Sequence, residues 1–344
     1  MAAWRNALNP RATDKSTKAS EAGLPVYREY AYPLIPHGPE PIAYDTFARA
    51  ARKGFRKILK EWGRPDIIHA HVVLPAGWSA LTVARRYGIP IVLTEHSSPF
   101  SMHLETALSR RLARETLVKV GKRIAISPAL VAQILEFEPG LEFEVIGESV
   151  KTDFFVPANG TDNEKGPTKR FFIVARLAEQ KGLTHLLEAV RLLLSRGLNA
   201  FELSIGGDGP DRAMLEQLAQ TLGITTHVRF LGALSREQVR SSLQACDVFV
   251  LSSLHETFGV VLGEAMACGK PVISTRCGGP EFVVNEQTGV LVDVANPQAL
   301  ADAMADFILD RKAFDPQQVR ASVVERFSPE AFVRNVSAVY AQLW

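Results

Sequence analysis

The chain has 344 residues, 47% hydrophobic and 22% charged, a composition that excludes a disordered protein and calls for two cores of roughly 150 residues each. No apolar run approaches the roughly 20 residues of a membrane-spanning helix. The three cysteines, Cys246, Cys268 and Cys277, form no CxxC pair and point neither to a disulfide framework nor to a zinc site, so a reducing cytoplasm is the expected compartment. The net charge of +2 divides unevenly, with 21 Lys/Arg against 16 Asp/Glu up to residue 157 and 18 against 21 beyond it, as expected of two domains with different partners.

In chain order, residues 1–23, MAAWRNALNPRATDKSTKASEAG, are polar and helix-breaking and read as strandless. Residues 46–64, TFARAARKGFRKILKEWGR, carry seven Lys/Arg against one Glu, with Phe47, Ala51, Phe55, Ile58, Leu59 and Trp62 along one helical face. Two readings stay open for this segment: a helix lying on an anionic membrane, or an apolar face packed on a sheet with a solvated basic back. A second basic patch, Arg110, Arg111 and Arg114 with Lys119, Lys122 and Arg123, keeps the membrane reading open. Neither patch is interleaved with a nucleic-acid-binding module, so no nucleic-acid partner is expected. DIIHAH, IPIVLT, RIAIS and EFEVIG are short β-rich runs, and strand alternation puts His69 and His71 on one face, as core-lining residues. Pro157, Gly160, Gly166 and Pro167 mark a linker within residues 151–169, which divides the chain into domains 1–157 and 158–344.

The second half alternates strand runs, RFFIVARL, FELSIGG, HVRFLGAL, DVFVLSS, PVISTRC and GVLVDV, with helical patterns such as GLTHLLEAVRLLLSRG and PDRAMLEQLAQTLG. Such alternation implies a parallel sheet covered on both faces. Ser328, Pro329 and Glu330 open a final helix, and Phe332, Val333, Val336, Val339, Tyr340 and Leu343 line its apolar face, so it docks on something.

An open parallel sheet binds ligands beyond the carboxyl ends of its strands. There the sequence places Arg176 and Lys181 after the first strand of the second half, the glycines of GGDGP (206–210) after the second, and HETFGVVLGEAMACGK (255–270) after the fourth. Helix N-termini and two cations suit a diphosphate. Glu264, a carboxylate in an otherwise apolar helix, needs donors, and a ribose diol offers two. GGDGPDR lacks the third glycine of GxGxxG, because Arg212 stands in its place, and GEAMACGKP departs from a P-loop in spacing and at Pro271. Glu281 of CGGPE is expected to stabilise its loop by hydrogen bonding.

HETFGVVLGEAMACGKPVISTRCGGPEFV resembles the Glu-x7-Glu signature of family 4 retaining glycosyltransferases, and VARLAEQKG, SIGGDGP, VRFLGAL and RFSPEAF resemble the same family in the same order. The resemblance implies the GT-B fold: two Rossmann-like, doubly wound parallel-sheet α/β domains facing across a cleft, with the C-terminal helix docking back. It assigns Arg176 and Lys181 to the donor diphosphate, and Glu264 to the ribose. Glu256 with the backbone at Phe258, Gly259 and Val260 would contact sugar and phosphates. The turn at Gly207 and Gly209 lies on the donor side, and the main chain near Leu234 faces the base. His96 in VLTEHSS matches the histidine that faces the donor sugar. The implied reaction moves a hexose-type sugar from a UDP- or GDP-sugar to a hydroxyl of a glycan, lipid-linked or lipid acceptor, without cofactor or bound metal, in the cytoplasm or at the inner face of the membrane.

Two features depart from the family pattern. The opening strand, glycine-rich loop and helix of the first domain are not recognisable in residues 1–23, which leaves open a truncated chain or a nucleotide-sugar-binding fragment without activity. Glu148 and Lys151 stand where Asn and Asp are common before the hinge. A sugar-nucleotide 2-epimerase shares the architecture and is the second alternative.

Overall fold

The computed structural model describes residues 17–21, 23–29, 40–158 and 166–343. They form two compact units: one takes the chain up to Ile124 with Leu135–Glu144 and the residues from Val339 on, and the other takes Ala125–Ile134 and Val145–Ala338. Residues 159–165, inside the expected linker, lie outside the described residues, as do residues 1–16 of the opening segment.

The described end of that opening segment corrects the strandless reading. Thr17–Glu21 is a strand, β1, paired antiparallel with β2 (Leu24–Arg28) around Gly23, whose φ of 80° suits the turn between them. Helix α1 (Glu40–Trp62) follows. Then β3 (Ile68–His71), α2 (Trp78–Tyr87), β4 (Ile91–Glu95), α3 (Ala107–Lys119), β5 (Lys122–Ala125), α4 (Pro128–Phe137) and β6 (Glu144–Val145) build a sheet in the order β3-β4-β5-β6. β3 and β4 run parallel, and IVLTE of β4 is buried over its whole length, as a strand covered on both faces must be.

The basic helix α1 uses its apolar face for packing. Phe55 joins Val83 and Ile89 in a small core, with Ala51, Leu59, Ile68 and Tyr87 against it. Phe47 and Trp62, expected on that face, are exposed. Lys53 and Lys57 pair with Glu29 at 3.2 and 2.5 Å, and Arg49 pairs with Asp45 at 2.7 Å. The second basic patch is also partly engaged: Arg114 reaches Glu138 at 2.5 Å and, with Arg110, lies over the Phe137 ring, while Arg123 donates to the carbonyls of Leu117, Val118 and Val120. Among the described residues no helix is long and apolar enough to cross a membrane.

In the second unit β7 (Lys169–Val174), α5 (Leu183–Ser195), β8 (Phe201–Gly206), α6 (Arg212–Thr221), β9 (Val228–Gly232), α7 (Arg236–Ala245), β10 (Val248–Leu251), α8 (Val260–Ala267), β11 (Val272–Thr275), α9 (Pro280–Val283), β12 (Gly289–Val292), α10 (Pro297–Ile308) and α11 (Pro316–Phe327) alternate as the sequence implies. All six strands are parallel, in the order β12-β11-β10-β7-β8-β9. The chain winds outward from β7 to β9, then returns to lay β10 on the other side of β7. That reversal creates a crevice beyond the carboxyl ends of β7 and β10, the place where open α/β sheets hold ligands. One face of the sheet is sealed by a continuous core that includes Phe171, Ile173, Leu203 and Ile205 with Leu186, Leu187, Val190 and Leu193 of α5 and Met304 of α10. Strand alternation sends Phe172 and Phe249 to the other face, where their rings meet at 6.1 Å.

The last helix, α12 (Pro329–Ala341), is capped by Ser328, whose hydroxyl accepts from the Ala331 amide at 3.2 Å. Ala331, Val336 and Val339 are buried, whereas Val333, expected on that face, is 61% exposed. Its end docks within the first unit: the Tyr340 hydroxyl meets His69 Nδ1 at 2.7 Å, and Lys122 donates to Gln342 at 2.5 Å.

Candidate active site

The loops leaving β7, β8, β9, β10 and β11 emerge at one edge of the second unit's sheet, and backbone hydrogen bonds tie them together. Ala175 N donates to Gly206 O, Leu177 N to Asp208 O, Asp211 N to Leu177 O and Gly207 N to Gly232 O, at 2.7 to 3.1 Å. Leu254 N reaches Gln180 O at 2.8 Å, and Gly279 N reaches Glu256 O at 2.8 Å. These approaches require glycine. A Cβ on Gly207 (φ 115°) would collide with the Ala175 carbonyl, and one on Gly209 with the Leu177 carbonyl. The Leu234 side chain lies against Gly206, where a Cβ would come within 2.6 Å of it.

Lys181 sits on a short 3-10 turn after β7, and its ammonium meets Glu256 Oε1 at 2.6 Å. Ser253 donates to the same oxygen at 2.9 Å. Arg176 is exposed, and among the described residues no acidic side chain pairs with it. The HETFG turn is held to the CGG turn by a bridge between Glu256 and Gly278, and Glu281 accepts from the Gly278 amide at 3.0 Å, the loop-stabilising role expected of it. Phe258 is buried against Phe327 and Phe282, which leaves only its backbone for the edge. Gly259 (φ 85°) caps α8, and Val260 opens it.

Glu264 lies one turn into α8, between the buried residues Gly263 and Ala265. Burial raises its carboxyl to about 7, only partly opposed by Arg236, whose guanidinium is 4.0 Å away. That separation is too long for a hydrogen bond. Arg236 is held aside, over the rings of Phe154 and Phe155 at 5.3 and 5.5 Å. Among the described residues no donor hydrogen-bonds the Glu264 carboxylate.

His96 belongs to the first unit, directly after β4. Its Nε2 lies 2.8 Å from His71 Nδ1, and the His71 ring stacks on His69 at 4.5 Å. The two histidines of β3 do share a face, but His71 is exposed rather than core-lining, and it groups with His96.

The description "Glycosyl transferases group 1" matches residues 160–325, and "Glycosyltransferase Family 4" matches residues 12–154. The D-inositol 3-phosphate glycosyltransferase of Corynebacterium diphtheriae is 30% identical over 309 residues, 80% of this chain and 70% of that protein. The chain belongs to the group 1 glycosyltransferases. Solved structures share the fold of this glycosyltransferase: sucrose-phosphate synthase from Thermosynechococcus elongatus has a TM-score of 0.76 at 23% identity over 96% of this chain and 86% of that one. HepE of Anabaena, in complex with UDP, has a TM-score of 0.74 at 21% identity over 86% and 82%. The GT-B architecture with two parallel-sheet α/β domains is therefore the fold of this glycosyltransferase.

Three residues at these sites escape the sequence reading, and a fourth is misplaced by it. Ser253 and Arg236 gain their places only through packing, the first beside Glu256 and the second beside Glu264. Glu95 is wholly buried, and its carboxylate accepts from Val73 N, His96 N, Ser97 N and Ser97 Oγ at 2.5 to 2.9 Å, which fixes the turn that carries His96. The TEHS segment holds the only signal for it, an acid at the end of an apolar strand. His71 is the fourth.

Proposed function

We propose that this glycosyltransferase takes a hexose-type sugar from a nucleoside-diphosphate sugar and transfers it, with retention, to a hydroxyl of a glycan or lipid-linked acceptor. Arg176 and Lys181 receive the diphosphate, together with the backbone amides at Gly259 and Val260, which a helix start leaves without intrahelical partners. Glu256 lies beside the donor sugar, Gly207 and Gly209 let the backbone come close to it, and the main chain near Leu234 meets the base. His96 is assigned to the donor sugar. The cytoplasm is its proposed compartment.

The observation that carries this reading is Glu264. A half-buried carboxylate raised to about 7, with no hydrogen-bond donor among the described residues, is an acceptor open to a ligand's hydroxyls. A vicinal diol supplies two O–H donors with matched spacing. As the diphosphate leaves, negative charge develops at the edge where Lys181 and Arg176 already stand, so the site does not have to reorganise to stabilise it. UDP in HepE supports a uridine nucleotide as the first candidate here. The names of the relatives favour transfer over epimerisation.

Calorimetric titration of the full chain with UDP, GDP and ADP tests the reading. The expected result is saturable binding of UDP or GDP that is lost in Glu264→Ala, together with release of the nucleotide from its sugar conjugate when an acceptor is supplied. Absence of binding by all three nucleotides, in a chain that melts cooperatively, overturns it.

A further inference from the structure

We infer that Ser253 is a positioning residue for Glu256: with Lys181 it occupies one carboxylate oxygen and so leaves the other, Oε2, to accept from a hydroxyl of the donor sugar. The inference rests on the placing of Glu256 beside that sugar made above. The Lys181 ammonium and the Ser253 hydroxyl both reach Oε1, at 2.6 and 2.9 Å, while Oε2 has no hydrogen-bond partner among the described residues. A carboxylate oxygen has room for two donors, so the protein fills Oε1 and a ligand finds Oε2 open.

Ser253 is itself held from several sides. It lies just past the end of β10 and is buried, as are Ser252 before it and Thr275 at the end of β11. β10 and β11 run parallel with Leu251 opposite Ser274, which brings the Thr275 hydroxyl to donate to the Ser253 carbonyl. Ser252 donates its hydroxyl to the Lys181 carbonyl at 2.9 Å, and Leu254 N reaches Gln180 O at 2.8 Å. Gly182 packs so closely here that a Cβ on it would lie 2.1 Å from the Ser252 carbonyl oxygen. The two serines thus bracket the ion pair: Ser252 holds the backbone that carries Lys181, and Ser253 holds the carboxylate that Lys181 meets.

The two partners of Oε1 are not equivalent. Lys181 is a point charge on a flexible stem, attracted to either oxygen of a carboxylate. The Ser253 hydroxyl has one proton and a short reach from fixed main chain, and its acceptor is Oε1. Without that hydroxyl the carboxylate is free to turn both oxygens toward the ammonium, at the expense of the one left for the sugar. A bare nucleotide brings no sugar hydroxyl to Oε2, so its binding does not sense the turn, whereas binding of the sugar nucleotide does.

The test is calorimetry of the full chain with UDP and GDP and with UDP-glucose, UDP-N-acetylglucosamine and GDP-mannose, reading the affinity for a sugar nucleotide relative to its bare nucleotide. In Ser253→Ala that ratio should fall roughly tenfold, the size expected for a lost hydrogen bond to a charged group, with the affinity for the bare nucleotide kept within about twofold. Ser253→Cys, which fills the same space with a weak donor, should show the same loss in smaller degree. Ser252→Ala, which removes a hydroxyl bound only to a backbone carbonyl, should leave the ratio unchanged. In a Glu256→Ala background, Ser253→Ala should lower the ratio no further, because the group it positions is gone. An unchanged ratio in Ser253→Ala and Ser253→Cys overturns the inference, as does an equal fall in Ser252→Ala or a further fall in the Glu256→Ala background. A wild type that binds a bare nucleotide but none of the sugar nucleotides also overturns it. A wild type that binds none of these ligands overturns the donor reading, and the inference falls with it.

Discussion

Glu256 and Glu264 stand eight residues apart in one motif, yet their surroundings differ in kind. Glu256 is matched within the protein, with the Lys181 ammonium at 2.6 Å and the Ser253 hydroxyl at 2.9 Å on the same oxygen. Glu264 faces a single guanidinium at 4.0 Å, itself held over two aromatic rings, and burial dominates its ionisation. The contrast separates two jobs. The Lys181 side chain is anchored on Glu256 before any ligand arrives, which suits the proposed stabilisation of a departing diphosphate. The Glu264 end is left unmatched, so a ligand that brings donors gains the interaction the protein withholds.

Lys181→Met strikes the matched end. It leaves a carboxylate whose side chain is only 13% exposed without its cation, and unfolding in urea should show a loss of about 3 kcal/mol, partly recovered in the double variant with Glu256→Gln. A loss no larger than that of a surface ion pair would erase the distinction between the two ends.

Glu264→Gln probes the unmatched end through pH. The folded carboxyl titrates at about 7, above its ordinary value of 4.5, so between these limits the folded chain holds a proton that the unfolded chain has released. The stability linked to this group is therefore complete below about pH 4.5 and disappears as pH rises through about 7. Denaturation between pH 4.5 and 8 should show that decline in the wild type but not in Glu264→Gln, which should be more stable by about 2 kcal/mol at the alkaline end.

Arg236→Ala carries the smallest effect. Without the guanidinium the Glu264 carboxylate is harder to ionise, and the ionised form is the better acceptor. Nucleotide affinity at pH 7 should fall about threefold, with less effect at pH 8.5, as read by calorimetry.

The fold was legible where burial wrote a simple pattern. VFVL and VIST are buried at every position of β10 and β11, and a strand covered on both faces leaves little choice but continuous apolar or small residues. The α8 segment announced itself the same way, with a lone acid inside VVLGEAMA, and the glycine-rich turns marked the edge of the sheet. The strand Thr17–Glu21 was not legible, because TKASE has no apolar alternation and pairs through its backbone with the strand that follows Gly23. Arg236 was invisible for a different reason. SREQ looks like an ordinary helix start, with Ser235 and Gln238 forming a capping box, and nothing local says that its arginine reaches toward a helix 28 residues further on. His71 was misplaced because alternation along a strand gives the face, whereas exposure depends on what the fold lays over that face.

The interlocked loops of the second unit carry a consequence for how such a site can change over time. Their contour is set by main chain pressed on main chain at Gly207, Gly209 and Gly279, positions defined by what they lack. A side chain added at any of these three would move main chain, whereas an exposed side chain on the same loops, such as Arg176, can be replaced without displacing the main chain beneath it.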